Sequence, residues 1–248
     1  MPSKSKIYFA SDFHLGVPNY PLSREREDRI VKWLDFIRQD AAEIYLMGDI
    51  FDFWFEYAKV IPKGFIRLQG KLAELTDSGI KITFFKGNHD MWMFDYFTKE
   101  LGIQIISNEL IFERNGKFFY LHHGDGLTSD EPGYKFLKSF FRSRFCQWLF
   151  ARLHPNLGMG IAHLWSRKSR IANNKKEEFK TAEEEWLVNY SKELLKTKQY
   201  NYLLFGHRHL PLDIPLNDTS RYINLGEWIN YNSYAVFDGD DLELVYWK

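Results

Sequence analysis

Five short polar clusters carry the residue types that could do chemistry in this chain. They are Asp12-Phe13-His14, Gly48-Asp49-Ile50-Phe51-Asp52, Gly87-Asn88-His89-Asp90, His122-His123-Gly124-Asp125 and Gly206-His207-Arg208-His209. Asp, Asn and His together offer oxygen and imidazole donors, a set suited to Mn, Fe or Zn rather than to a soft thiolate site. Two such ions roughly 3.5–4 Å apart can clamp a phosphoryl group and generate a hydroxide nucleophile. A carboxylate between them is the natural bridge, because its lone pairs can serve both ions. Taken singly, each cluster has a plain reading. D-x-H occurs in polar turns, G-D-x-x-D can cap a helix, G-N-H-D can be a turn, and G-H-x-H can be two histidines on one face of a strand. Their joint occurrence, each behind a β-like run, points to one metal site.

Those runs define the elements that must position the clusters. Lys6–Asp12, Glu43–Asp49 and Ile80–Lys86 are β-rich, while Arg24–Asp40 and Pro62–Ser78 carry apolar residues at helical spacing, such as Ile30, Trp33, Leu34 and Ile37. The β-α-β-α-β alternation predicts an α/β core with parallel strands. Ile111–Glu113 and Phe118–Leu121, around Asn115-Gly116, predict a hairpin. From about Gly133 to Lys198 the pattern is helical, with breaks expected near Pro155 and Gly158–Gly160; strands resume at Tyr202–Phe205, Tyr222–Asn224, Tyr234–Phe237 and Leu242–Tyr246. In open α/β sheets ligands bind at the carboxyl ends of strands, so the five clusters should converge.

The 248 residues hold 33 Lys+Arg and 33 Asp+Glu, a formal net charge of zero. The sum conceals segregation. From Tyr134 to Lys176 there is no Asp or Glu but ten basic residues, leaving −10 on the remainder. Aromatics interleave with the bases there, which suits an anionic lipid surface, a nucleotide phosphate, single-stranded nucleic acid, or a solvated helical pair with an apolar inner face. The single cysteine, Cys146, excludes an internal disulfide and reads as a buried small residue rather than a nucleophile. No apolar run reaches the roughly 18 residues of a membrane-spanning helix. No secretory h-region is visible, so a cytoplasmic location is expected.

In this order the five clusters resemble the calcineurin-like metallophosphoesterases, over the whole chain from Lys6 onward. The resemblance implies a four-layer α-β-β-α sandwich, residues 1–248 forming one domain with a helical, lid-like and lipid-binding insertion at about 127–198. It implies two divalent ions, Mn²⁺ first, with Fe or Zn as alternatives. One would be held by Asp12, His14, Asp49 and His209, the other by Asp49, Asn88, His123 and His207, with Asp49 bridging. His89, grouped with Asn88 as catalytic, matches the histidine that hydrogen-bonds the phosphate and assists the leaving group. Asp90 is expected to orient that imidazole. His122 matches no family position.

The segment from His123 to Tyr134, the basic helices after it, Trp165–Lys176 and Leu225-Gly226-Glu227-Trp228 resemble the UDP-2,3-diacylglucosamine hydrolases of lipid A biosynthesis. That resemblance implies cleavage of a pyrophosphate to give UMP and lipid X, at the cytoplasmic face of the inner membrane and without a nucleic-acid partner. The implied substrate contacts are Asn88, His89, Glu131 (usually Asp in the family), Ser169, Asn173, Lys176 and His207. Ser169, Asn173 and Lys176 are spaced i, i+4, i+7, along one helix face. Phe136, Phe140, Phe141, Trp148, Leu149 and Leu153 are expected to line an acyl channel, or else to form the insertion's own core. Many family members carry Arg where this chain has His89; as a residue type histidine can switch between neutral and charged forms, whereas arginine stays charged. Two other readings stand beside this one. A related phosphoesterase could act on a soluble phosphomonoester, phosphodiester or dinucleotide, and a non-catalytic membrane or nucleic-acid binding module is disfavoured because all seven expected ligands are present.

Overall fold

Alternating burial along short strands sets the architecture. The chain runs β1 (Lys6–Ala10), α1 (Tyr20–Ile37), β2 (Ala41–Leu46), α2 (Ile66–Asp77), β3 (Lys81–Phe85), α3 (Tyr96–Leu101), β4 (Gln104–Ile106), β5 (Leu110–Arg114) and β6 (Lys117–His122). It continues through α4 (Arg144–Phe150), α5 (Pro155–Ala172), α6 (Trp186–Leu195), β7 (Tyr202–Phe205), β8 (Pro211–Pro215), β9 (Arg221–Leu225), β10 (Ser233–Phe237) and β11 (Leu242–Tyr246). The computed structural model describes residues 5–127, 138–172, 179 and 181–248.

Two sheets result. The first has the order β11-β10-β1-β2-β3-β4 and the second β5-β6-β7-β9-β8. β1, β2, β3 and β4 are mutually parallel, as are β6, β7 and β9, with antiparallel strands at the flanks. Because strand side chains alternate between faces, Ile7 and Phe9 point to the second sheet while Tyr8 and Ala10 point to helices. Ile7, Phe9, Tyr45 and Met47 interlock with Phe119, Leu121, Leu204 and Ile223 between the sheets. The outer face of the first sheet is covered by Ile30, Trp33 and Leu34 of α1, Leu68 and Leu72 of α2, and Phe97 of α3. On the outer face of the second, Leu187 and Val188 of α6 pack on Leu203, Phe205 and Tyr222. The fold is therefore the expected four-layer α-β-β-α sandwich.

Differences from the sequence expectation are local. α1 begins at Tyr20, where the Asn19 side chain accepts the Leu22 N–H and caps it. β8 lies between two prolines at a sheet edge, where a missing N–H is tolerated. The break expected at Gly158–Gly160 does not occur. α5 runs through it, and Gly158 is needed for contact, since a Cβ there would sit 2.5 Å from the Tyr57 hydroxyl. Residues 141 and 150 and Cys146 join Phe55 and Trp92 in a separate apolar cluster, which seats α4 on the loops after β2 and β3. Among the described residues no helix is long and apolar enough to cross a membrane.

Candidate metal centre

The parallel strands β1, β2 and β3 of one sheet and β6 and β7 of the other deliver their carboxyl ends to one edge of the sandwich. The loops there are joined across the sheets. Asp12 Oδ2 accepts the His207 N–H at 3.0 Å, and His123 Nδ1 lies 2.8 Å from the Met47 carbonyl. Asp12, His14, Asp49 and His207 all have positive φ, between 44° and 66°. Non-glycine residues adopt this left-handed region rarely and at a cost, and such strain gathers at functional sites. The glycines beside them make room. A Cβ on Gly48 would meet His123 Nδ1 at 2.5 Å, and one on Gly87 would meet Asp49 Oδ1 at 2.1 Å.

The donor atoms converge in two groups that share Asp49. In the first, His14 Nε2 and His209 Nε2 are 3.1 Å apart, and each is 3.5 Å from Asp12 Oδ1. In the second, Asn88 Oδ1 lies 3.3 Å from His123 Nε2 and 3.0 Å from His207 Nδ1. Asp49 Oδ2 stands 3.5 Å from His123 Nε2 and 3.9 Å from His14 Nε2, so one oxygen faces both groups. Donors about 2.1 Å from a common ion stand about 3.0 Å apart at adjacent octahedral positions and about 3.4 Å apart at tetrahedral ones. All the observed separations but the 3.9 Å one between Asp49 and His14 lie close to these edges. Asp12 Oδ1 is buried without a hydrogen-bond partner, and the facing His14 and His209 nitrogens, 3.1 Å apart, can share either a proton or a cation. The donor set therefore fits divalent ions. His14, Asp49 and His89 form a third possible grouping.

Charge balance agrees. Burial alone would raise the Asp12 and Asp49 carboxyls, but the surrounding imidazoles hold both well below the usual carboxylate range. Burial pushes His14 down to about 4 and lowers His207, so both are neutral, ligand-ready imidazoles. Burial also opposes a proton on His123, yet the charge of Asp49 outweighs it and raises that imidazole to about 10. Without an ion the cluster keeps a proton there as its counter-charge.

What holds these groups departs in one respect from expectation. Asp90 does not orient His89. Its Oδ1 accepts the N–H groups of Gly87 (2.8 Å) and Asp49 (3.3 Å), and its Oδ2 those of Ile50 (2.8 Å) and Phe51 (3.3 Å). Asp90 is thus a clamp between the loops after β2 and β3, and its aim at four backbone donors leaves it turned away from the imidazole. The orienting contacts come instead from Asp52, the second Asp of G-D-x-x-D. Its carbonyl lies 3.0 Å and its Oδ1 3.6 Å from His89 Nδ1, leaving Nε2 to face the site. Arg26 was not legible as a site residue. Buried in α1, it donates to the carbonyls of His14 (2.7 Å) and Val17 and holds the left-handed turn at His14. Asn224 Nδ2 donates to the Gly206 carbonyl at 2.8 Å, and the Trp228 N–H to the Asp12 carbonyl at 3.2 Å.

All seven expected ligands and His89 are brought together. Among the expected substrate contacts, Glu131, Asn173 and Lys176 lie outside the described residues, as does Phe136, and Ser169 lies on α5. Of the expected channel residues, Phe141 packs inward, whereas Phe140, Trp148 and Leu149 are exposed. Leu157, Leu164 and Trp165 of α5 are exposed too, so the acid-free helices carry an apolar surface. Cys146 is buried, and its thiol is pushed up by burial, away from nucleophile chemistry.

A sequence profile of the calcineurin-like phosphoesterases matches residues 5–211, the span that includes every one of these ligands. The chain belongs to that family. The phosphoesterase is 42% identical, over 97% of its own length and 97% of the relative's, to the UDP-2,3-diacylglucosamine hydrolase of Porphyromonas gingivalis. It is 27% identical to the enzyme of that name from Photorhabdus laumondii, over 96% of this chain and 97% of the relative. The corresponding figures for the Aeromonas hydrophila enzyme are 26%, 92% and 92%. As a member of this family the phosphoesterase is a metal-dependent hydrolase.

Proposed function

We propose that the phosphoesterase hydrolyses the pyrophosphate bond of UDP-2,3-diacylglucosamine to UMP and 2,3-diacylglucosamine 1-phosphate. The observation that carries this reading is the 42% identity, end to end, with a relative bearing that activity in its name. The exposed apolar surface of α4 and α5 supports it, because a substrate with two acyl chains needs apolar contact next to a phosphate site.

Asp12, His14, Asp49 and His209 would hold one divalent ion and Asp49, Asn88, His123 and His207 a second, most simply Mn²⁺ given the oxygen and imidazole donors. Such ions supply charge neutralisation for the phosphates and a water that ionises near neutral pH. The chain's own groups do the rest. His123 is held by the Met47 carbonyl on Nδ1, so its Nε2 points into the site. His89, held by Asp52, presents Nε2 to a phosphate oxygen and, when protonated, can give its proton to the leaving group. Positioning and charge, rather than a covalent intermediate, account for phosphoryl transfer. Residues 1–248 act as one domain whose helical segment, about 127–198, binds the lipid part, with Glu131, Ser169, Asn173 and Lys176 as further contacts. The basic, aromatic-rich helices would rest on the anionic cytoplasmic face of the inner membrane.

Phosphorus NMR of the metal-loaded protein with UDP-2,3-diacylglucosamine tests the reading. Two pyrophosphate resonances should give way to two monoester resonances. An unchanged spectrum, with ready cleavage of a soluble phosphodiester, would assign the site to a soluble substrate instead.

A further inference from the structure

Ser166 lies on α5, in the acid-free helical segment, and no metal ligand comes from that helix. It is nevertheless buried, at 6% exposure, and its Oγ donates to Asp52 Oδ2 at 2.6 Å. The other carboxylate oxygen of Asp52 is the one that lies 3.6 Å from His89 Nδ1 and 3.9 Å from His14 Nδ1. A carboxylate is a rigid plane, so fixing Oδ2 fixes the direction in which Oδ1 meets the two imidazoles. The backbone of Asp52 is pinned as well, its N–H donating to the Leu15 carbonyl at 2.9 Å.

A second contact joins the same partners. Trp92, three residues after His89, donates its indole N–H to the Phe141 carbonyl at 2.8 Å and packs with Phe55 and Phe150. The loops that carry Asp52 and His89 are therefore the loops on which the helical segment is seated. Ser169 lies three residues beyond Ser166 in α5.

We propose that Ser166 is a positioning residue through which α5, acting on Asp52, sets the orientation of the His89 imidazole, so that the seating of the helical segment and the alignment of the phosphate-facing histidine are coupled. The inference rests on the proposed phosphoester cleavage for its kinetic consequence, but not for its structural one. A helix that shifts on the lipid part of a substrate then changes His89 through Asp52, whose Oδ1 also faces His14 Nδ1 at 3.9 Å. Because α5 is a rigid element, a displacement at its substrate end is carried to Ser166 one turn away.

The test compares Ser166→Ala, Ser166→Thr, Asp52→Asn and Ser166→Ala/Asp52→Asn in the full chain. Groups that orient active-site histidines typically govern activity by 10- to 100-fold. Ser166→Ala should lower kcat on UDP-2,3-diacylglucosamine about tenfold with KM changed less than about twofold, and Ser166→Thr should restore most of it. In the Asp52→Asn background the serine substitution should cost less than about twofold, because the path is already cut. Imidazole ¹H–¹⁵N NMR of the metal-free protein supplies a readout independent of turnover. The His89 signals should move in Ser166→Ala while those of His154 and His163 stay in place. Equal losses in both backgrounds, or His89 signals unmoved by Ser166→Ala, would overturn the proposal. If the wild-type protein leaves the lipid nucleotide intact, the substrate reading fails and the NMR comparison still decides the coupling.

Discussion

Replacing Gly87 by Ala puts one methyl group where the two metal-binding loops meet. A Cβ there would lie 2.1 Å from Asp49 Oδ1, 2.5 Å from Asp49 N and 2.8 Å from Asp49 Cγ, whereas real Cβ atoms stay beyond 3.0 Å. The shortfall to the carboxylate oxygen is therefore about 0.9 Å. It cannot be absorbed by a flexible side-chain tip, because Asp49 is buried and its Oδ1 already accepts the His89 N–H at 2.9 Å. Either Asp49 rotates out of register with His14 and His123, or the loop carrying Asn88 and His89 moves away. A displacement of about 1 Å in a reacting constellation costs on the order of 100-fold in rate. Overpacking of a filled site costs about 1–3 kcal/mol, and each kcal/mol lowers Tm by about 2–4 °C in a chain of this size. Gly70→Ala is the control. Gly70 is exposed in α2 with nothing within 4 Å of its added Cβ, so alanine there should stabilise by about 0.5–1 kcal/mol. Differential scanning calorimetry and phosphodiesterase rates on both variants are the assay. A Gly87→Ala protein with wild-type rate and unchanged Tm would refute the reasoning.

Three further outcomes follow from the same geometry. Asp90→Ala leaves four buried N–H groups of two loops without their acceptor, and urea denaturation should show a loss of about 3–5 kcal/mol; a loss under 0.5 kcal/mol would remove the clamp role. Arg26→Met keeps the aliphatic stem but drops the grip on the His14 carbonyl, so chelator competition should report metal binding weakened about 10- to 100-fold. His123 sits at about 10 without an ion and must shed its proton to ligate, so metal affinity should rise with pH throughout the range below that value. Calorimetry in buffers of different ionisation enthalpy should then register proton release near pH 7.5, and a pH-independent affinity would contradict it.

The strands that matter most were legible because they are buried on both faces. β1, β2, β3 and β7 read as apolar runs closed by polar turns, and the ligands sit in those turns. β4, three residues long, and β8, bounded by prolines, carry too little periodic signal to be seen without their neighbours. The glycines at 158 and 160 suggested a break because propensity counts their cost and not the Tyr57 and Phe150 side chains that Gly158 admits. The residues whose donor atoms converge at the site were legible through type and spacing. Those acting through another group were not. Asp90 was misassigned for want of a view of the four N–H groups it faces, and Arg26 and Ser166 become site residues only when α1 and α5 are packed against the loops. The second Asp of G-D-x-x-D was the available signal for Asp52.

Elemental analysis of wild type and Asp49→Ala after Mn²⁺ loading tests most directly the proposal that two ions share Asp49. The geometry predicts two ions per wild-type chain and less than one in the variant, with secondary structure retained. A wild-type chain that holds at most one ion, or an Asp49→Ala chain that still holds two, would contradict it.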